Sequence, residues 1–145
     1  MVEKHFTPEL FALMREAGCE YLVIGAETMT DRVLALVNKF ARQEDNIKFF
    51  QAARQQGIKL HVNLIPDLPS TTYEESIRSL ELFRDLADCF ESITIFPFEA
   101  TRSSAIGRSP EHFGLQAIEG AETGGQAQYA ANHLPNIDPA MTHEQ

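Results

Sequence analysis

Polar side chains that could hold a ligand follow each of the three segments that have the composition of β-strands. Glu27 and Thr28 follow the first segment, Asp67 follows the second, and Glu99, Thr101 and Arg102 follow the third. Parallel α/β folds bind their ligands at the carboxyl ends of the strands. Taken alone, Glu27 or Asp67 is equally well explained as a cap of the helix or turn that follows it. Three polar strand ends together favour a binding site at this edge of a sheet.

His61 and Asn63 lie two residues apart in the second strand segment, so their side chains share one face of the strand. His61 is a candidate general base with Asn63 beside it, although a single His on a strand more often has a structural role. The sequence contains no GxGxxG, P-loop, GxSxG or metal-spaced pair of His residues. An α/β enzyme of an unrelated kind is therefore the hypothesis with the least support.

Helix–strand units along the chain would position these residues. In the first unit, Thr7 and Pro8 have the cap and first-turn pattern of a helix. A strand over residues 21–24 follows, and a second helix begins after Thr30 and continues to Phe40.

The same order of elements then recurs. A helix over residues 44–56 precedes a strand over residues 58–65. Thr72 and Glu75 form a capping box for the next helix, and a third strand covers residues 92–98. Because helices separate the strands at regular spacing, the sequence predicts an α/β fold with parallel strands and right-handed crossovers.

Alternate residues of the strands differ in character, which predicts a sheet covered by helices on one face only. One set is aliphatic and would pack against the helices, whereas the other set mixes polar and aromatic side chains. Such a wall suits a barrel whose inner surface lines a wet cavity or a ligand site. The aliphatic set is Leu22, Ile24, Ala26, Leu60, Val62, Leu64, Ile93 and Ile95, and the opposite set is Tyr21, Val23, Gly25, Glu27, His61, Asn63, Ile65, Thr94, Phe96 and Phe98.

Length and charge limit the class of protein. The 145 residues fit one domain with a hydrophobic core, and the formal net charge of −9 argues mildly against a nucleic-acid partner. The sequence has neither an apolar run of about 18 residues nor the apolar core of a secretion signal, so we expect a cytoplasmic protein. We expect one domain over residues 5–110 and a poorly ordered C-terminal extension over residues 111–145, which has little that could pack.

The two cysteines, Cys19 and Cys89, are far apart in the chain and neither belongs to a CxxC pair. Each lies beside a predicted strand. We therefore expect two buried free thiols rather than a disulfide or a metal site.

Several segments, in order along the chain, resemble the radical S-adenosylmethionine (SAM) enzymes. Residues 18–28, GCEYLVIGAET, are similar to the family pattern aGc..v.iGiEs, and residues 33–39 are similar to the vL..i.K that follows it. Residues 56–72 resemble..Gi.v...fi.GlPgEt, and residues 96–101 occupy the place of a late strand with its P.pGT loop. Residues 107–115, GRSPEHFGL, are similar to members that carry a cobalamin-binding domain.

The resemblance implies roughly the later half of a partial (β/α) barrel of the TIM type. It implies that Glu27 looks towards the SAM site and that Leu64 and Ile65 lie near the adenine. Arg102 could meet a carboxylate of SAM or substrate through its planar fork, and a plain surface position is an equal alternative. The cofactor-binding set implied in this way is Glu27, Asn63, Leu64, Ile65, Asp67 and Arg102, with no catalytic or metal-binding residue assigned.

The chain also departs from the family. Asp67 and Ser70 stand where the family commonly has Gly, and Thr71 stands where it often has Glu. Loss of a Gly can block a positive φ or a close backbone approach. These substitutions favour the alternative function, a non-catalytic binding or scaffold domain derived from the same fold.

The main departure concerns the iron–sulfur cluster. The family holds a [4Fe-4S] cluster through CxxxCxxC, and the reduced cluster cleaves SAM to a 5′-deoxyadenosyl radical. No CxxxCxxC occurs in this sequence. The resemblance therefore implies the C-terminal, SAM- and substrate-facing portion of a radical SAM enzyme, which is not competent alone and depends on a missing N-terminal segment for the cluster. A truncated chain, one piece of a split enzyme and a degenerate relative are all compatible with it.

Half of a barrel has an open edge at its first strand. We expect the missing N-terminal half-barrel, a partner chain or self-association to cover that edge. The expected ligands are SAM and a small-molecule substrate, and cobalamin is indicated only by residues 107–115. Neither nucleic acid nor a membrane is an expected partner.

Overall fold

Helices and strands alternate along the chain, as the sequence predicts. The computed structural model describes residues 5–118 and 132–141, and no helix within these ranges is long and apolar enough to cross a membrane. Short 3-10 turns cover Ala87–Cys89 and Pro110–Phe113. The helices are α1 (Pro8–Glu16), α2 (Asp31–Leu36), α3 (Gln43–Gln55), α4 (Tyr73–Asp85) and α5 (Ala105–Arg108), and the strands are β1 (Tyr21–Glu27), β2 (Lys59–Leu64), β3 (Ser92–Ile95), β4 (Gln116–Ala117) and β5 (Asn136–Ile137).

The first three strands form one parallel sheet in the order β1, β2, β3. Gly25 pairs with Asn63 across β1 and β2, and Asn63 pairs with Thr94 across β2 and β3. Two residues nearer the amino ends of these strands, His61 pairs with Ser92. Parallel neighbours joined by helical crossovers are the arrangement of a (β/α) barrel wall, so the predicted fold class is confirmed.

Helices cover one face of this sheet, and alternate burial along β2 identifies it. Leu60, Val62 and Leu64 are at most 1% exposed, whereas His61 and Asn63 between them are only half-buried. The predicted faces of β1 and β2 are therefore confirmed. Aromatic rings with centroid separations of 4.9 to 6.2 Å fill much of the helix side, namely Phe6, Phe11, Phe49, Phe50, Phe83 and Phe90.

The prediction for β3 was wrong in length and in coverage. The strand ends at Ile95 rather than at residue 98, because β2 ends opposite it at Leu64 and Pro97 has no N–H to extend the ladder. Ile93 and Ile95 are 39% and 58% exposed instead of packed against helices. The chain after β3 leads to α5, which packs on the Pro110–Phe113 turn rather than over these side chains.

Helix α2 is also shorter than predicted. It ends at Leu36 because Asn38 adopts a left-handed φ of 57° and the Lys39 N–H donates to the Leu34 carbonyl at 2.8 Å. Phe40 is consequently 81% exposed instead of continuing an apolar stripe. The same turn directs Lys39 back towards β1.

The loop that precedes α4 is fixed at its helix end. The predicted capping box is confirmed, since the Thr72 N–H donates to Glu75 Oε2 at 3.0 Å and the Glu75 N–H donates to Thr72 Oγ1 at 3.2 Å. Arg32 on α2 donates two further hydrogen bonds to the Glu75 carboxylate, at 2.9 and 2.6 Å. The hydrogen bonds from Arg32 are the main reason that the pKa of Glu75 falls to about 2.

A buried hydroxyl joins the end of β1 to α4. Ser79 Oγ accepts hydrogen bonds from the Met29 N–H at 2.8 Å and from Thr28 Oγ1 at 3.1 Å. All three residues are at most 3% exposed. These hydrogen bonds fix the position of the turn between β1 and α2 relative to α4.

The described part of the C-terminal extension has secondary structure. Strands β4 and β5 pair antiparallel, and the Leu134 N–H donates to the Ala100 carbonyl at 2.9 Å. Residues 119–131 and 142–145 lie outside the described residues. The expectation of a poorly ordered extension over residues 111–145, and the domain limit at residue 110, therefore stay predictions.

We expect Ser79→Ala to lower the free energy of unfolding by about 2 kcal/mol, because the buried Met29 N–H loses its acceptor. Urea denaturation followed by circular dichroism measures the change. Ser76→Ala is the matched control, since Ser76 is also buried on α4 but is not bonded to the turn after β1. Equal unfolding free energies for the two variants would contradict the role of Ser79 as the acceptor that holds this turn.

The Arg32–Glu75 pair predicts a defined pH dependence of stability. Because the pKa of Glu75 is depressed to about 2, its contribution is complete above the ordinary carboxyl pKa of about 4.5 and is lost as the pH falls towards 2. Glu75→Gln should lower the unfolding free energy by about 1 kcal/mol at pH 7, a modest effect since Arg32 is half-exposed. The difference from the unsubstituted protein should disappear in acid.

Glu74→Gln is the control for this experiment, because Glu74 lies in the same first turn of α4 and is exposed. Thermal melts between neutral and acidic pH follow both variants. If Glu75→Gln is destabilised by the same amount in acid as at neutral pH, the carboxylate charge is not the cause of the destabilisation.

Candidate functional site

Glu27 occupies the carboxyl end of β1 in an unusual backbone conformation. Its φ is 63°, and the register of β1 against β2 shifts between Gly25 and Glu27, so that Glu27 pairs with Leu64. The Glu27 carbonyl accepts a hydrogen bond from the Ile65 N–H at 2.9 Å. This irregularity, a feature often found beside functional sites, fixes the backbone from which the Glu27 side chain extends.

The carboxylate of Glu27 is held by Lys39. Lys39 Nζ lies 2.9 Å from Glu27 Oε1 and donates to the Gly25 carbonyl at 3.0 Å. The two side chains are only 27% and 17% exposed. Gly25 leaves room for the carboxylate in this position, because a Cβ there would lie 2.3 Å from Glu27 Oε1 and would displace it. A half-buried ion pair therefore lies directly over the end of β1.

Sequence reasoning did not select Lys39 as a site residue. Lys39 belongs to the segment that resembles vL..i.K, and that was the only signal for it. Its position depends on the left-handed turn at Asn38, which ends α2 and returns the chain to β1.

The structure brings Asn63 and Ile65 close to Glu27 but separates Leu64 from them. Asn63 pairs with Gly25, and Ile65 is bonded to Glu27 through the backbone. Both side chains are half-buried, whereas Leu64 is 1% exposed and belongs to the hydrophobic core on the helix side. Leu64 can border a ligand on the opposite face only through its backbone.

Asp67 joins the loop after β2 to the segment after β3. Its Oδ1 accepts a hydrogen bond from the Phe98 N–H at 2.9 Å. The carboxylate therefore positions two neighbouring loops at the edge of the sheet where Glu27 lies.

Ser70, at a position where the resemblance implies Gly, adopts a left-handed backbone conformation. Its φ is 64°, and all three of its polar groups are bonded. The N–H donates to Asp138 Oδ2 at 2.7 Å, Oγ donates to the Phe113 carbonyl at 2.8 Å, and the carbonyl accepts from Arg32 at 2.6 Å. These hydrogen bonds hold Ser in the left-handed conformation, so the positive φ at this position does not require Gly.

Arg102 is placed away from the other predicted residues. It is exposed, and its N–H donates to the Asn132 carbonyl at 2.7 Å. Within the described ranges, no hydrogen bond or ion pair connects it to Glu27, Asn63 or Asp67. Its neighbour Thr101 forms a bridge with His133, so this part of the chain contacts the C-terminal segment.

The described residues do not fit an iron–sulfur cluster. Cys19 and Cys89 are free thiols; Cys89 is buried at 7% exposure within the helix-side core, as predicted, whereas Cys19 is only half-buried. No group of three His, Cys, Asp or Glu side chains in the described part of the chain could hold a metal ion. Any cluster at this site needs thiolates from other polypeptide.

Curated proteins resemble part of the chain. It is 32% identical over 83 residues to the ribosomal protein uS12 methylthiotransferase RimO of Bacteroides thetaiotaomicron, which covers 54% of this chain and 19% of that protein. It is 29% identical over 98 residues to RimO of Pelodictyon phaeoclathratiforme, with 65% and 22% covered. The chain therefore spans about a fifth of the length of these relatives.

Solved structures support the fold. Escherichia coli coproporphyrinogen III oxidase (HemN), a radical SAM enzyme, superposes with a TM-score of 0.62 at 21% identity, over 72% of this chain and 24% of its own. The radical SAM methyltransferase TsrM from Kitasatospora setae, with cobalamin and a [4Fe-4S] cluster bound, gives 0.68 at 18% identity, over 81% and 25%. At such identities the likeness establishes only the fold, part of a TIM-type barrel wall.

The model of the Radical SAM superfamily matches residues 2–83, from before α1 to the last turns of α4. That range contains β1, β2 and the pairing that places Glu27 beside Asn63 and Ile65. Since the match covers more than half of its length, this chain belongs to the radical SAM superfamily.

Proposed function

We propose that this chain is the SAM- and substrate-facing portion of a radical SAM enzyme, and that polypeptide outside these 145 residues holds the [4Fe-4S] cluster. The observation that carries the proposal is the half-buried Glu27–Lys39 pair beside Asn63, on a sheet face that the helices leave uncovered. A cluster held by that other polypeptide would supply the electron for the radical chemistry of SAM, and this chain would bind and orient SAM and substrate. No step through the cluster is assigned to this chain, because its cysteines do not fit one.

The chemistry of the pair fits a zwitterionic, hydroxylated ligand. The Glu27 carboxylate can accept hydrogen bonds from an ammonium group or from ribose hydroxyls, and the Lys39 ammonium can pair with a carboxylate. Asn63 offers both a donor and an acceptor, and Ile65 offers apolar contact for the adenine ring. Partial burial strengthens these charged contacts relative to water.

Other residues of the predicted set have positioning roles in this proposal. Asp67 and Ser70 hold the loop between β2 and α4, and Leu64 anchors β2 in the core. For Arg102, the sequence leaves a carboxylate contact and a plain surface position as equal alternatives. We assign the carboxylate contact to Lys39 instead, since Lys39 lies beside Glu27 and Arg102 contacts the C-terminal segment.

The edge of β1 is the proposed place for the cluster-bearing part of the barrel. Among the described residues, β1 pairs with β2 alone, and its Tyr21 and Val23 are 47% and 60% exposed. An uncovered parallel edge is prone to pair with another strand. We therefore place the N-terminal half-barrel on this edge, either in the same polypeptide or as a partner chain, with self-association as the third arrangement. The proposed substrate is a small molecule that binds between the uncovered face of the sheet and this second half of the barrel.

A non-catalytic binding or scaffold domain derived from the same fold is the second candidate. It is favoured by Asp67 and Ser70, which make structural hydrogen bonds where the family commonly has Gly. The positive φ of Ser70 weakens this argument, because Ser holds the left-handed conformation without Gly.

Cobalamin stays outside the proposal, since packing accounts for the glycines of residues 107–115. A Cβ on Gly107 would lie 1.9 Å from the Thr101 carbonyl oxygen. Gly114 has a φ of 79°, and a Cβ there would lie 2.2 Å from Ser70 Oγ. Gly107 allows the close approach of α5 to the Thr101 backbone, and Gly114 allows the turn after Phe113 to pack against Ser70.

We expect the 145-residue chain to bind SAM weakly without any cluster, which a titration followed by two-dimensional amide NMR detects. Amide shifts should concentrate at Glu27, Asn63 and Ile65. Glu27→Gln should weaken binding about tenfold, the cost of one charge-assisted contact.

Glu20→Gln is the matched control, because Glu20 is an exposed carboxylate just before the amino end of β1, where no ligand is proposed. It should bind SAM as the unsubstituted chain does. Saturating SAM with no shift at the three amides, or equal weakening by both substitutions, would refute the proposed site.

A further inference from the structure

His61 lies on the uncovered face of the sheet with a hydroxyl group at each ring nitrogen. Its Nδ1 is 2.6 Å from Ser92 Oγ, and its Nε2 is 3.1 Å from Thr94 Oγ1. Ser92 is at the amino end of β3, whereas Thr94 pairs with Asn63 nearer the carboxyl end. The three side chains form a hydrogen-bond chain that runs along the strands towards the edge where Glu27 lies.

The distances do not fix the direction of this hydrogen-bond chain. A neutral imidazole has one N–H and one lone pair, so it donates to one hydroxyl and accepts from the other. With the hydrogen on Nδ1, His61 donates to Ser92 and accepts from Thr94. With the hydrogen on Nε2, His61 accepts from Ser92, and the Thr94 hydroxyl is free to donate to a ligand. Transfer of the hydrogen between the ring nitrogens therefore reverses all the bonds.

The surroundings of His61 favour neither direction. On β1 it faces Val23, which carries no charge and is 60% exposed. Two residues earlier on β2, Lys59 pairs with Glu91 at 3.1 Å near the amino end of the sheet. Ser92 is exposed to solvent, and Thr94 is half-buried. The Ser92 end of the hydrogen-bond chain is thus in contact with water, and the Thr94 end faces the space where a ligand would lie.

We propose that Ser92, His61 and Thr94 are a proton relay between solvent at the amino end of the strands and a substrate on the uncovered face. The identity of the substrate rests on the proposed function, whereas the hydrogen-bond geometry of the relay does not. The substrate class is one that gains or loses a proton at an oxygen or nitrogen atom on this face.

The relay moves one proton and no electrons. Thr94 gives its hydroxyl proton to a basic atom of the substrate and takes the Nε2 proton of His61. Nδ1 then takes the hydroxyl proton of Ser92, and Ser92 regains a proton from water, which leaves hydroxide in the solvent. Only O–H and N–H bonds are exchanged, and the reverse sequence removes a proton from the substrate. His61 is a positioning and proton-carrying residue in this scheme.

The imidazole nitrogen shifts of the 15N-labelled 145-residue chain test the relay. In a neutral imidazole, these shifts report the ratio of the two N–H forms, and the measurement is run at a pH where the spectrum itself shows neutral rings. Ser92→Ala should raise the share of the Nε2–H form, and Thr94→Val should raise that of the Nδ1–H form. The reason is that an N–H left without an acceptor costs more than a lone pair left without a donor.

We expect each substitution to change the ratio about fivefold, in opposite directions, as the loss of one hydrogen bond implies. His112, whose ring packs on Phe113 at 5.2 Å, is the internal control and should not change. Either variant alone decides the question if the other fails to give a folded spectrum, and both are conservative. A single form of His61 that is unchanged in the variants would overturn the relay.

This result can be separated from the test of SAM binding. Opposite changes at His61 without SAM-induced amide shifts would keep the relay and refute the proposed function. SAM-induced shifts with a fixed His61 ring would refute the relay alone.

Discussion

The burial of Leu60, Val62 and Leu64 against the helices is the constraint on which the rest of the structure depends. Each fully buried aliphatic side chain contributes about 1.5 to 3 kcal/mol, so the register of β2 is strongly fixed. Because side chains alternate along a strand, that register necessarily turns His61 and Asn63 to the other face. A slip of one residue would bury the polar groups and expose the aliphatic ones. The polar character of the uncovered face is thus a consequence of packing on the covered face.

Long-range contacts then convert a sheet edge into a site. Gly25 leaves room for the Glu27 carboxylate above the backbone, and the early end of α2 lets Lys39 reach that carboxylate. Ser79 holds the next turn from the opposite side. The contacts of Lys39 and Ser79 join the end of β1 to other elements, so this arrangement forms only when α2 and α4 pack beside β1. Stability and the geometry of the Glu27–Lys39 pair are therefore coupled at the carboxyl end of β1.

Much of the wall could be predicted from the sequence, because local rules decide it. The capping box at Thr72, the alternation along β2 and the strand–helix order all follow from short-range patterns. The exposure of Ile93 and Ile95 could not be predicted in this way, since it depends on where the chain goes after β3.

The site itself was predictable only in part, for the same reason. Glu27, Asn63 and Ile65 lie together because parallel strands end at one edge, which the sequence indicates. The role of Lys39 depends on the φ of Asn38, and that of Ser70 on contacts with Asp138 and Phe113 far along the chain. No local pattern encodes such contacts.

The central claim is that the uncovered face of the sheet, rather than the helix side, meets SAM. Photo-crosslinking of the 145-residue chain with a SAM derivative that carries an azide on the adenine ring tests it most directly. Our account predicts labelled peptides from β2 and the loop over residues 65–72, next to the carboxyl end of β1. Labelling confined to α1, α3 and α4 would contradict it.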